Sequence, residues 1–324
     1  MTTPAVLDVH LTPDHAARAL RADALEGLGS SPKWLPPKWL YDTRGSELFD
    51  EITRLPEYYP TRAEREILVG RAAELAERTS ARCLVELGSG SSDKTRLLLD
   101  SLREHGTLEE FVPLDVSESA LAEAVEAIAA DYPGLRVLGV VADFTEHLDR
   151  LPGRAPRLVA FLGGTIGNLF PEERAEFLSG VRTVLEPGEW LLLGTDLVKS
   201  PETLVRAYDD AAGVTAQFNL NLLHVLNREL GADFPVDGFS HVARWDAQRE
   251  WIEMRLRADR AMTVRVPAIE LELHFEAGEE IRTEISAKFR RERVEDELSK
   301  AGFTLDSWWT DSEDRFALSL ATAF

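Results

Sequence analysis

A single cysteine, Cys83, stands among 324 residues. It leaves no partner for an intrachain disulfide and no multi-thiolate metal site, so a reducing compartment and no bound metal are expected. Set in the apolar run Cys83-Leu84-Val85, it reads as a small buried hydrophobe. Basic charge is also short, 36 Lys+Arg against 57 Asp+Glu, for a formal net charge of −21. Nucleic-acid affinity rests largely on cations that neutralise phosphates, so DNA, RNA and anionic membranes are poor partners and a small molecule is the better one. No run approaches the ~18 apolar residues of a membrane span. The opening MTTPAVLDVHLTPD lacks the basic-then-apolar layout of a secretory signal, and a cytoplasmic protein is expected. A complete dinucleotide fingerprint is missing too. After Gly88-Ser89-Gly90, Asp93 occupies the place of the third glycine, and Glu86 in front would repel a pyrophosphate. Internal repeats and low-complexity tracts are absent.

What is present is ordinary globular material, 44% hydrophobic and 29% charged, long enough for one large or two medium domains. Prolines 32, 36, 37, 56 and 60 interrupt every helical period in the first 60 residues, which read as irregular. Thr61 and Glu64 fit a capping box, predicting a helix from Arg62 to about Thr79 with Ile67, Leu68, Ala72 and Leu75 on one stripe. From Arg82 short apolar runs, CLVELG, FVPLDVS, RVLGVVADF, RLVAFLGG and WLLLGTD, alternate with helical stretches. That alternation predicts βαβ units in a doubly wound, mostly parallel sheet, with strands such as LVAFLG buried on both faces.

After Asp196 the alternation stops. A helical block gives way to the two-residue periodicity of FSHVARWD, REWIEMRLRA and IRTEISAKF, which predicts antiparallel strands with one polar face. A last helix near Arg290 to Ala301 and the strand-turn-strand pattern of GFTLDSWWTDSEDRFALSLA would close the first sheet. The fold class is therefore α/β, interrupted by an inserted α+β substrate unit to which the N-terminal segment also belongs. The boundaries expected are 62–196 plus 287–324 for the sheet domain and 14–61 plus 197–286 for the insert.

Gly88-Ser89-Gly90 follows the first strand of this sheet, where glycines let backbone approach a ligand. Taken alone it is a weak signal. Asp115 ends the next strand and Ala142-Asp143-Phe144 follows the third, and acids in register at successive strand ends resemble the S-adenosylmethionine site of Rossmann-like class I methyltransferases. Singly, Asp115 reads as a helix cap and Asp143-Phe144 as a loop acid with a core aromatic. More specific runs are Tyr41-Asp42-Thr43-Arg44-Gly45-Ser46-Glu47-Leu48-Phe49, Leu55-Pro56-Glu57-Tyr58-Tyr59-Pro60-Thr61, Glu86 to Thr95, Gly163-Gly164-Thr165-Ile166-Gly167-Asn168 and Thr283-Glu284-Ile285-Ser286. Together they resemble the histidine-specific Nα-methyltransferases of ergothioneine biosynthesis, over nearly the whole chain.

The resemblance implies that free L-histidine is methylated three times on its α-amine, giving hercynine, with S-adenosylmethionine as donor. It implies that Gly88, Lys94, Asp115, Asp143 and Phe144 bind the donor, and that Tyr58, Gly163, Asn168, Tyr208, Met254, Glu284 and Ser286 form the histidine pocket. The reaction expected is in-line displacement on a neutral amine, with Tyr41 and Tyr58 the candidate catalytic residues handling its proton, and the protein expected is a monomer. The residues themselves bear on these roles. Strand alternation puts Arg282, Glu284 and Ser286 on one face, and a carboxylate with a hydroxyl can satisfy the donor and acceptor nitrogens of an imidazole. Without the family, such a Glu and Ser are ordinary solvated surface, Tyr208 with Leu204 and Ala212 a helix stripe, Asn168 a turn residue, Tyr58 loop packing and Met254 core. Two other functions compete: a methyltransferase for another small amine, and a non-catalytic S-adenosylmethionine-binding module that recruits a protein partner.

Overall fold

In the computed structural model the described residues are 6–11, 13–90, 94–144, 147–148 and 151–324, so Ser91, Ser92 and Asp93 of the glycine loop lie outside them. The chain forms two compact units: Met1–Leu11, Pro60–Val198 and Phe289–Phe324 make one, Thr12–Tyr59 and Lys199–Lys288 the other.

The first unit is built on an eight-stranded sheet. Its order is Val6–Val9, Arg136–Val141, Glu110–Asp115, Cys83–Leu87, Arg157–Phe161, Trp190–Asp196, Phe316–Ala323 and Phe303–Thr310. The first six are parallel; the C-terminal hairpin adds two antiparallel strands. The chain winds outward from Cys83–Leu87 to Arg136–Val141, then returns to Arg157–Phe161 on the other side of Cys83–Leu87. Order therefore reverses between Cys83–Leu87 and Arg157–Phe161, and open α/β sheets bind ligands outside the carboxyl ends of the strands at such a point. Both strands are mostly apolar and buried because helices must cover both faces of a parallel sheet. Each Leu, Val or Phe removed from water there contributes about 1.5–3 kcal/mol. Cys83 is fully buried, and burial pushes its thiol up to about 12, so it is an inert core residue.

The second unit holds a four-stranded sheet in the order Lys33–Trp34, Glu280–Ala287, Trp251–Ala258 and Phe239–Asp246, and a separate hairpin of Met262–Val266 and Leu271–Phe275. The long helix Val214–Leu230 buries Phe218, Leu222, Val225 and Leu226 in this unit's core. Asp210 starts that helix by accepting the N–H groups of Val214 at 3.0 Å and Thr215 at 2.8 Å, and those bonds hold its carboxyl below the usual range against the opposing effect of burial.

Several local expectations are corrected. The opening 60 residues are not irregular, because Val6–Val9 pairs in parallel with Arg136–Val141 and helices span Pro13–Gly29 and Thr43–Ile52 between the prolines. Asp42 caps the second of these by accepting the Gly45 N–H at 2.9 Å. The helix expected from Arg62 runs from Pro60 to Thr79, since Pro60 has no N–H to lose at a first turn, and Thr61 does not cap it. Trp251–Ala258 is buried on both faces rather than polar on one. Helix Pro201–Tyr208 stops at Tyr208, so Ala212 does not continue its stripe.

Candidate active site

In the first unit the carboxyl end of Cys83–Leu87 turns through Gly88 at φ 68° and Gly90 at φ 49°. Side chains strain that left-handed backbone, and a Cβ at either glycine would point into open space, so the loop presents bare backbone to its surroundings. Asp115, at the end of the adjacent strand, accepts the Gly90 N–H through Oδ2 and the Ser117 N–H through Oδ1, each at 3.0 Å. Burial raises its pKa while these N–H bonds lower it. The cap of the following helix is Ser117, so Asp115 braces the loop and keeps further acceptor capacity. Behind the loop, Glu86 is buried; burial pushes it up to about 8, while the Thr95 hydroxyl and Lys94 oppose the rise. Among the described residues, Glu86 Oε2 and Ser89 Oγ are buried without a hydrogen-bond partner. Asp143 and Phe144 follow Arg136–Val141, and the Phe144 ring packs edge-on against Phe161 and Phe177 at 5.1 and 5.7 Å between centroids.

Glu64 joins this end of the sheet from the helix Pro60–Thr79. It is fully buried, ion-pairs with Lys94 and accepts the Gly163 N–H through Oε1 at 2.7 Å. One carboxylate thus ties Lys94 to the turn after Arg157–Phe161. Gly163 and Gly164 are both left-handed, at φ 76° and 73°, and lead into a short 3-10 turn that ends on Asn168. A Cβ on Gly194 would lie 2.4 Å from Glu64 Oε1, so a glycine in the neighbouring strand makes room for the carboxylate. The spacing of Thr61 and Glu64 suggested a cap; tertiary contacts claim the Glu64 side chain instead.

The second unit gathers the other residues around the strand Glu280–Ala287. Its register against Trp251–Ala258 shifts at Thr283: Arg282 pairs with Arg255, but Glu284 pairs with Met254 and Ser286 with Ile252. Directly opposed residues share a face, so this bulge turns Arg282 to the side opposite Glu284 and corrects the single face expected for all three. Glu284 and Met254 are cross-strand neighbours. Glu284 is buried, and burial pushes it up to about 7 against the lowering effect of Lys288. Ser286 Oγ lies 2.7 Å from the Tyr208 hydroxyl, and the fully buried Lys288 donates to both.

A second buried network holds these elements in place. The Thr283 hydroxyl lies 2.6 Å from Asn219 Oδ1 and 3.1 Å from the Met254 carbonyl, while Asn219 Nδ2 donates to the Arg255 carbonyl and to His241 Nδ1. His241 Nε2 then donates to the Tyr208 carbonyl at 2.7 Å. Burial lowers the His241 pKa, which favours the neutral ring that this pattern needs. Tyr58 and Tyr208 meet edge-on at 6.4 Å, Tyr58 and Phe49 at 6.1 Å, and Tyr41 packs against Phe49 and Phe218 at 5.5 and 5.4 Å. Aromatic groups so gathered suit a cation.

Of the expected residues, Gly88, Lys94, Asp115, Asp143, Phe144, Gly163 and Asn168 belong to the first unit. Tyr41, Tyr58, Tyr208, Met254, Glu284 and Ser286 belong to the second. Asn219, His241 and Lys288 join these networks without a motif that marks them, and Glu64 joins through a spacing that reads as a cap. Lys288 alone left a trace, as the next even position in the polar row of Glu284 and Ser286. Among the described residues no group of three or more His, Cys, Asp or Glu side chains is arranged to hold a metal ion, and no helix is long and apolar enough to cross a membrane.

A parallel sheet reversing beside a glycine turn, acids at its adjoining strand ends and an antiparallel closing hairpin define a class I, Rossmann-like S-adenosylmethionine-dependent methyltransferase. The open glycine turn and Glu86 Oε2 and Ser89 Oγ, buried and unpartnered among the described residues, fit such a donor. The chain belongs to the histidine-specific, S-adenosylmethionine-dependent methyltransferase family, whose profile matches residues 20–323. It is 57% identical over 312 residues to the histidine N-alpha-methyltransferases of Mycolicibacterium smegmatis and Mycobacterium tuberculosis, covering 96% of this chain and 97% of each relative. It is also 31% identical over 289 residues to ergothioneine biosynthesis protein 1 of Neurospora crassa, covering 86% of this chain and 32% of that protein.

Proposed function

We propose that this chain methylates the α-amine of free L-histidine three times, giving Nα,Nα,Nα-trimethyl-L-histidine (hercynine) for ergothioneine biosynthesis. The observation that carries the reading is the Glu284, Ser286 and Met254 face in a chain of this family. A carboxylate and a hydroxyl on one strand face match the two unlike nitrogens of a neutral imidazole, with a thioether against the ring. S-adenosylmethionine, when bound, supplies an activated methyl on a sulfonium, open to in-line displacement by a neutral amine.

The chain's own residues bind and orient. Gly88 and Lys94 would hold the donor's amino-acid part, Asp115 its ribose hydroxyls, and Asp143 with Phe144 its adenine. By the family resemblance Asn168 and Tyr208 would bind the histidine carboxylate, and Gly163 would also bind histidine. Tyr58 and Tyr41 would orient the amine and pass on its proton, and aromatic faces would tolerate the permanent cation that forms. On the same reading the protein works as a cytoplasmic monomer on small molecules, its charge of −21 disfavouring nucleic acid and anionic membranes.

The test is mass spectrometry of the protein incubated with excess S-adenosylmethionine and L-histidine, alongside tryptophan, histamine and a no-amine control. A histidine product heavier by three methyl groups is expected. Unmodified histidine from a protein that binds S-adenosylhomocysteine overturns the substrate and its degree of methylation while leaving the fold reading intact.

A further inference from the structure

We propose that Lys288 is a positioning residue that lets Tyr208 and Ser286 donate hydrogen bonds to the ligand at the same time, so that the ligand atoms meeting them must be acceptors. The proposal rests on histidine being the substrate, whose carboxylate and unprotonated ring nitrogen are two such acceptors.

Lys288 follows the strand Glu280–Ala287, its backbone N–H held by the Glu250 carbonyl at 2.7 Å. Its ammonium donates to the Tyr208 hydroxyl at 2.9 Å and to Ser286 Oγ at 2.8 Å, and lies 4.6 Å from the centre of the Tyr208 ring. Lys288 is 0% exposed, against 8% for Tyr208 and 5% for Ser286, so it acts through the two hydroxyls.

The consequence follows from counting protons. An ammonium only donates, so each hydroxyl oxygen accepts one bond from Lys288. The hydroxyls also lie 2.7 Å apart, and one donates to the other. Without Lys288 each oxygen would lose an accepted bond, and turning both O–H groups outward would give up the mutual bond as well. With Lys288 both oxygens stay bonded when the mutual bond opens. Tyr208 can then donate to a carboxylate while Ser286 donates to a ring nitrogen. Glu284, two residues before Ser286 on the same face, supplies the complementary acceptor for the ring N–H. This end of the pocket therefore reads a neutral imidazole by one donor and one acceptor.

Calorimetric titration of L-histidine into the full chain saturated with S-adenosylhomocysteine tests this. With Lys288 present, Tyr208→Phe and Ser286→Ala should each weaken histidine about tenfold, the scale of one hydrogen bond, and their effects should multiply in the double variant. In Lys288→Met, histidine should bind more than tenfold more weakly with S-adenosylhomocysteine affinity unchanged, and the two hydroxyl effects should cease to multiply. Lys288→Arg, which keeps a fork of donors, should recover most of the affinity. Wild-type histidine affinity in Lys288→Met overturns the proposal. So does a double hydroxyl variant no weaker than either single one, a result that stands even if Lys288→Met does not fold. Failure of the unmodified chain to bind histidine overturns the substrate reading itself, and this inference with it.

Discussion

Glu64 shows how much can hang on one side chain. Its charge meets Lys94 and its second oxygen meets the Gly163 N–H, both at the carboxyl end of the parallel sheet. Glu64→Gln keeps an acceptor for Gly163 but leaves Lys94 without its counter-charge, so affinity for S-adenosylhomocysteine should fall about tenfold, as calorimetry would show. Glu284 makes a different prediction. Burial holds its pKa near 7, so below that pH it is a neutral acid and above it a carboxylate, the better acceptor for a ring N–H. The advantage of wild type over Glu284→Gln in kcat/KM for histidine should therefore grow as pH rises through about 7. A constant ratio from pH 6 to pH 8.5 would remove Glu284 from ring recognition. Of these two, only Glu284 stands in a motif that marks it as a candidate site residue in the sequence. Glu64 looked like a cap because the spacing of Thr61 and Glu64 says nothing of what lies 30 or 99 residues further along the chain.

Among the elements, the strand Glu280–Ala287 sets which side chains share a face in the second unit. A regular strand would carry Arg282, Glu284 and Ser286 on one face and bring a cation beside the carboxylate. The bulge at Thr283 sends Arg282 away and leaves Glu284 opposite Met254. Thr283 also anchors the bulge to Asn219, which reaches the end of helix Pro201–Tyr208 through His241. Thr283→Val keeps the volume and the strand preference but leaves a buried amide oxygen unsatisfied. It should cost about 1–3 kcal/mol of stability in chemical denaturation and raise KM for histidine with little change in the affinity for S-adenosylhomocysteine.

Across the molecule, pH acts through groups that folding has moved from their ordinary ranges. Glu86 is held up to about 8 against an ordinary value of 4.5, so between those values the folded chain keeps a proton that the unfolded chain has lost. Its contribution to stability is complete below 4.5 and is lost as pH rises through 8. The melting temperature of the ligand-free protein should decline over that range, and Glu86→Gln should flatten the decline. Because a chain of charge −21 also repels itself more as pH rises, the comparison with Glu86→Gln is the informative one. His241 works in the opposite sense: its lowered pKa withdraws stability as pH falls below about 6.5, where the unfolded ring takes up a proton that the buried one resists.

The sequence by itself determined the parallel sheet, the closing hairpin and the glycine turn with its acids, and its short motifs marked the candidate pocket residues, because periodicity and short motifs are local properties. Elements between prolines were harder to read: Pro13–Gly29 buries Leu20, Ala24 and Leu28, and Thr43–Ile52 has the Asp42 cap with Leu48 and Ile52 buried, and these outweigh a proline-rich composition. Tertiary structure alone decided which way those residues face. The Thr283 bulge, the burial of Glu64 between Lys94 and Gly163, and the meeting of Lys288 with Tyr208 80 residues away depend on strand register and on the carboxyl ends of distant strands. A side chain's direction in a sheet follows from hydrogen bonds to another strand, and one residue of slip reverses it.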